Sequence, residues 1–144
     1  METISLTLFV AGCVRRCIGC HNKDLQKLTP DNHIITSLDT IKKIIKDKIC
    51  LIKSVCFCGG DFLPDNEIEL KELVVFCKSE NLKTILYTGE LFENIDKDLS
   101  KEIDIIVDGP YDHNKKTNKF PASKNQRCWI NGELVNCDKL KINE

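Results

Sequence analysis

The chain has 144 residues, 42% of them apolar and 30% charged, with a formal net charge of -1. That length builds one domain, residues 1–144, with a real core, and the near-neutral balance argues against a nucleic-acid-binding surface. No apolar run approaches the ~20 residues of a membrane span, and nine cysteines point to a reducing cytoplasm, since an odd count would leave one thiol unpaired in a secreted protein.

Residues 3–10 predict a buried strand carrying Ile4, Leu6, Leu8, Phe9 and Val10. Ala11-Gly12 then turns the backbone tightly into the stretch around which the chain is organised, Cys13-Val14-Arg15-Arg16-Cys17-Ile18-Gly19-Cys20-His21-Asn22. Thiolates are soft ligands for iron–sulfur clusters, zinc or copper(I). Three of them with no evident fourth predict a cubane in which one iron lacks a protein ligand and is open to a substrate or cofactor.

A structural zinc using Cys13, Cys17, Cys20 and His21 is the alternative of another class. Such zinc usually staples small or loop-rich domains, whereas this chain has apolar segments for a core of its own. Cys17 to His21 also fits c-type haem attachment, which leaves Cys13 unexplained. Val10-Ala11-Gly12-Cys13 resembles a lipoprotein cleavage site, but Met1-Glu2 gives no basic start and the apolar run is short. Arg15 and Arg16 read as solvated loop charge, with a docking edge for an acidic partner as the sharper alternative.

Further along, Thr36-Ser37-Leu38-Asp39 fits a capping box, followed by a helical stripe of Leu38, Ile41, Ile45 and Ile49 with lysines largely outside it. Ser54–Phe57 predicts a second strand ending in Cys58-Gly59-Gly60-Asp61, where a glycine pair lets backbone approach a ligand closely. Cys50, Cys56 and Cys77 read as small packed hydrophobes. A helix over residues 66–80, with Asn66 as cap, leads to a strand at Thr84–Tyr87 and the loop Thr88-Gly89-Glu90. A short helical stretch over residues 91–101 precedes a strand at Ile103–Val107 and the loop Asp108-Gly109-Pro110.

Apolar strands, joined by helical crossovers and each ending in a polar or glycine-containing loop, predict an α/β fold. Its strands run parallel and its site lies at their carboxyl ends. Residues 111–124 have no period and read as a surface loop, mobile or idle. Gln126–Ile130 predicts a fifth strand that returns through the hairpin turn Asn131-Gly132 to Leu134-Val135. Cys128 and Cys137 could pair or bind metal, but free thiols are the safer reading.

The C-x3-C-x2-C spacing resembles the signature of the radical S-adenosylmethionine (SAM) enzymes. The longer string from Leu8 to Asn22 narrows the likeness. So do Gly59-Gly60-Asp61, Tyr87-Thr88-Gly89, Val107-Asp108-Gly109 and Ser123-Lys124-Asn125-Gln126, in that order. Together they resemble the small activating enzymes of anaerobic ribonucleoside-triphosphate reductase over residues 6–127. Cys58 stands where that family usually has a small hydroxyl residue. Phe62 replaces the proline after Gly-Gly-Asp, and Ala122-Ser123-Lys124 replaces Gly-Ser-Ser.

The resemblance implies a partial, shortened β/α barrel of parallel strands. It implies a [4Fe-4S] cluster on Cys13, Cys17 and Cys20, and SAM against Gly59, Gly60, Asp61, Thr88, Asp108, Asn125 and Gln126. A flavodoxin or ferredoxin would supply the electron that cleaves SAM to a 5′-deoxyadenosyl radical. That radical would take hydrogen from a glycine of the reductase large subunit, with no general base needed and no nucleic-acid or membrane partner. Activation of another glycyl-radical enzyme, or chemistry on a small substrate, keeps the same cofactors.

Overall fold

A computed structural model describes residues 4–140 of the chain; Thr3 of the expected first strand and the Met1-Glu2 start lie outside them. Six strands form one sheet in chain order: β1 Ser5–Val10, β2 Ser54–Gly59, β3 Lys83–Tyr87, β4 Ile105–Asp108, β5 Arg127–Ile130 and β6 Glu133–Val135. Neighbours from β1 to β4 pair in parallel, whereas β5 and β6 are antiparallel additions. The helices are α1 Leu38–Asp47, α2 Glu67–Ser79 and α3 Lys97–Glu102, one in each crossover between the parallel strands.

The sheet is open, with β1 and β6 at its edges, so the expected partial barrel reduces to a mixed α/β sheet. The physical reason lies in the connections. Three helical crossovers give four parallel strands, short of the eight that close a β/α barrel. The Asn131-Gly132 hairpin then extends the β4 edge in the antiparallel sense, and both residues take the positive φ that such a turn demands.

The helices cover one face of the sheet. Ile45 of α1, Leu70, Leu73, Val74 and Cys77 of α2 and Leu99 of α3 pack with Val55 and Phe57 of β2, Leu86 of β3 and Ile106 of β4. Ser37 caps α1 by accepting from Thr40 N at 3.2 Å. Asn66 precedes α2 without a side-chain cap bond. Ile49 lies beyond the end of α1 but still packs on the core.

The expectation of a buried first strand is corrected: β1 alternates exposed with half-buried positions, and Phe9 is 63% exposed. Its Leu6, Leu8 and Val10 pack toward the core, but an edge strand has a neighbour on one side only. Of the three cysteines read as hydrophobes, Cys56 and Cys77 are buried and Cys50 is exposed.

Cys128 and Cys137 are joined by a disulfide rather than being free thiols. The β5–β6 hairpin folds the chain back, so that the turn after β6 brings their Cα atoms to 5.4 Å, within bridging range. Residues 111–124 also depart from a formless loop. Lys116 and Ser123 form an antiparallel bridge, Thr117 N donates to Ala122 O at 2.9 Å, and Ser123 is fully buried. No helix among the described residues is long and apolar enough to cross a membrane.

Candidate metal and cofactor site

The parallel register brings the carboxyl ends of β1–β4 to one rim, and a cavity of about 290 Å3 opens there. Cys13, Cys17 and Cys20 line it from the loop after β1, and Gly59, Gly60 and Asp61 from the end of β2. Thr88 and Gly89 face it after β3, and Gln126 closes it from the start of β5.

The cysteine loop is held from behind by its own continuation. Gly12 N donates to Leu25 O at 2.6 Å and Cys13 N to Gln26 O at 3.0 Å, while Gln26 Nε2 reaches Cys17 O at 3.2 Å. Asn22 fixes the loop to β2, its Nδ2 donating to Gly59 O at 3.0 Å, and its N–H points at Cys20 Sγ, 3.4 Å away. Burial pushes the Cys17 thiol up; a backbone hydrogen bond from Tyr111 opposes this, and the neighbouring Cys20 and Cys13 add to it. Cys17 therefore feels the other two sulfurs, as like-charged neighbours do.

The glycine pair serves the packing of this loop. A Cβ on Gly60 would lie 2.3 Å from Gly12 O, and one on Gly59 would lie 2.6 Å from Val10 N and O. Gly60 N donates to Val10 O at 2.7 Å. The close approach anticipated for a ligand is thus first an approach of β2 to the start of the cysteine loop. Gly60→Ala is expected to cost about 1–3 kcal/mol through forced backbone shift, and to lower the iron retained after reconstitution. Thermal melting and iron analysis check both.

Asp61 is 4% exposed and its carboxylate is fully engaged. Leu63 N donates to Oδ1 at 3.0 Å and Gly89 N to Oδ2 at 2.8 Å. Thr88 Oγ1 donates to the carboxylate at 2.9 Å, and Arg15 Nε to Oδ2 at 2.6 Å. Arg15 is consequently not loose surface charge, whereas Arg16 is exposed. Burial pulls the Arg15 guanidinium down, but hydrogen bonds and charge from Asp61 and Glu90 outweigh it and hold the group above its ordinary range.

Two expected SAM residues are not in the cavity wall. Strand alternation turns Val107 toward the cavity and Asp108 to the other face. There Asp108 is fully buried, accepting from Phe92 N at 2.7 Å and Arg127 Nε at 3.2 Å. Asn125 donates from Nδ2 to Pro110 O at 2.8 Å, and its Oδ1 is buried without a partner. Gln126 keeps its place in the wall, donating to Gly109 O at 3.2 Å and accepting from Ser123 N at 3.2 Å.

Sequence reasoning missed several lining residues. Cys58 reaches the cavity; its thiol is pulled down by a hydrogen bond from Cys56, against the opposing effect of burial. Tyr111 lies edge-on to His21 with ring centroids 5.4 Å apart. The polar, aperiodic composition of residues 111–124 gave no signal for Tyr111.

The model of the family described as a 4Fe-4S single cluster domain matches residues 2–129. The chain belongs to this family. It is 33% identical over 136 residues to the anaerobic ribonucleoside-triphosphate reductase-activating protein of Enterobacteria phage T4, covering 90% of this chain and 86% of that one. The protein of the same name from Vibrio cholerae is 31% identical, with 73% and 72% covered. The pyruvate formate-lyase 1-activating enzyme of Escherichia coli K12 is 28% identical, with 92% of this chain but 61% of that one covered.

The donor set fits a cubane cluster. Three thiols from one loop line one cavity, and iron–sulfur clusters take cysteine thiolates on separate irons. Among the described residues, no three His, Cys, Asp or Glu side chains are grouped as ligands of a single ion.

Proposed function

We propose that this chain is a radical SAM activase that installs the glycyl radical on the large subunit of an anaerobic ribonucleoside-triphosphate reductase. The observation that carries this reading is the meeting of Cys13, Cys17 and Cys20 with the Gly59–Asp61 and Thr88–Gly89 turns around one cavity, at the carboxyl ends of parallel strands. The reductase is favoured over formate lyase as target because the chain is 33% identical to the phage reductase activator and 28% identical to the lyase activator.

Cys13, Cys17 and Cys20 would hold the [4Fe-4S] cluster, leaving one iron for SAM. Bound there, cluster and SAM would together supply one-electron reductive cleavage of the sulfonium to methionine and a 5′-deoxyadenosyl radical. The chain's own residues bind, orient and exclude water. The Gly59-Gly60 turn and Thr88 face SAM beside the cysteine loop, and Gln126 closes the opposite wall. Asp61 orders the loops while lining the same cavity. Asp108 and Asn125 support that wall from outside it, Asp108 by tying β4 to Arg127 and the Phe92 turn. No side chain is required as a general base. A flavodoxin or ferredoxin is the proposed reductant, and residues 1–144 act as one domain.

The test is anaerobic reconstitution with iron and sulfide, followed by dithionite and SAM. Deoxyadenosine formation, and a glycyl-radical signal on added reductase but not on added formate lyase, are the expected results. Stoichiometric zinc without sulfide or SAM cleavage would overturn the assignment.

A further inference from the structure

Arg15 sits midway between Cys13 and Cys17 and has no part in holding a cluster. Its side chain is nevertheless only 20% exposed, and it crosses the rim. Nε is 2.6 Å from Asp61 Oδ2 at the end of β2, and Nη2 is 3.3 Å from Glu90 Oε2 in the loop after β3. Just before the guanidinium the side chain passes over Gly89, where a Cβ would lie 2.2 Å from Arg15 Cδ and 2.7 Å from its Nε. The lack of a side chain at Gly89 is thus what admits Arg15. The carboxylate it meets is almost wholly removed from water, with 2% side-chain exposure, and a buried charge of that kind needs a paired, hydrogen-bonded partner.

We infer that Arg15 is a positioning residue: through Asp61 it fixes the cysteine loop against the two strand-end loops that face SAM. The inference rests on the function proposed above and adds a residue to it. The logic is geometric. Asp61 collects donors from β2's own turn at Leu63 N, from the β3 loop at Thr88 Oγ1 and Gly89 N, and from the cysteine loop at Arg15 Nε. Of these four, Arg15 supplies the link to the loop that holds iron. Because it lies between two of the three cysteines, any release of its guanidinium is transmitted directly to the separation between cluster and SAM subsite. A displacement of about 1 Å there is enough to impair a reaction that depends on near contact.

The test compares reconstituted wild type, Arg15→Gln, Arg15→Lys, Asp61→Asn and the double variant Arg15→Gln/Asp61→Asn. Iron and sulfide content, the electron paramagnetic resonance of the reduced cluster with and without SAM, and KM and kcat for deoxyadenosine formation are measured. Arg15→Gln is expected to retain four irons, raise the KM for SAM about tenfold or more, and weaken the SAM-induced spectral change. Arg15→Lys, which keeps charge but loses the forked geometry, should fall between. The double variant should be no worse than the poorer single one, since both act through one link.

Wild-type KM and an unaltered SAM-induced spectrum in Arg15→Gln, or fully additive losses in the double variant, would overturn the inference. Should Arg15→Gln fail to keep its iron, Arg15→Lys decides: a raised KM supports the inference and a wild-type KM overturns it. Wild type that cleaves no SAM fails the proposed function instead. Hydrogen exchange at Gly89 N–H, whose acceptor is Asp61, then decides the positioning role: faster exchange in Arg15→Gln supports it, and unchanged exchange overturns it.

Discussion

Cys17→Ala is expected to fold normally, bind no complete [4Fe-4S] cluster, and form no deoxyadenosine above background. The two halves of that result have separate physical grounds. The hydrophobic core draws on β2, β3, β4 and the three helices, and none of its members lies between residues 13 and 20. Removing a half-buried sulfur from that loop should therefore change stability by about 1 kcal/mol or less. The cluster, by contrast, has three thiols in the cavity, and losing one leaves two irons of a cubane without protein ligands. Circular dichroism, iron and sulfide analysis and the deoxyadenosine assay read the two halves independently. Cys50→Ser is the control, since Cys50 is exposed and outside the cavity. It should keep wild-type iron and activity, and a comparable loss in that variant would mean that the iron is not held by the cysteine loop.

Much of this arrangement is legible in the sequence because it depends on local periodicity. The stripe through Leu38, Ile41 and Ile45 declares α1, and apolar runs ending in glycine or polar residues declare the parallel strands and place their loops on one rim. The spacing of Cys13, Cys17 and Cys20 declares the donor set.

What stayed hidden depends on partners distant in sequence. Strand β1 reads as buried because Leu6, Leu8 and Val10 are apolar, yet only strand order reveals that it lies at an edge with Phe9 in the open. The Cys128–Cys137 bridge depends on how far the hairpin folds back. Arg15 carries no local sign of its partner 46 residues away. Asp108 is different, because strict alternation from Val107, which faces the cavity, already turns it toward the opposite side of the sheet. A family motif names neighbours in the chain, but a strand sends adjacent residues to opposite faces. Val107 and Gly109 thus reach the cavity while Asp108 anchors Arg127 behind it.

Asp61→Ala is expected to be the most destabilising single change at the rim. Removing the carboxylate strands the N–H groups of Leu63 and Gly89, the hydroxyl of Thr88 and the guanidinium of Arg15 together. Breaking one side of a buried pair typically costs 3–5 kcal/mol. Arg15 retains some access to water and a second carboxylate in Glu90, so the lower end, roughly 3 kcal/mol, is the better expectation. For a domain of this size that corresponds to a melting temperature lower by roughly 6–12 °C. Asp61→Asn preserves shape and one acceptor but presents an amide donor toward groups that already donate, so it should fall between Asp61→Ala and wild type. The loss should also extend beyond stability, because the same four donors set where the Thr88–Gly89 turn lies relative to the cysteine loop. Thermal melting of the three proteins, with iron content measured on each, separates the two consequences. A melting temperature for Asp61→Ala within a degree or two of wild type would mean that the rim is organised by the backbone pairing of Gly60 with Val10 and not by this carboxylate.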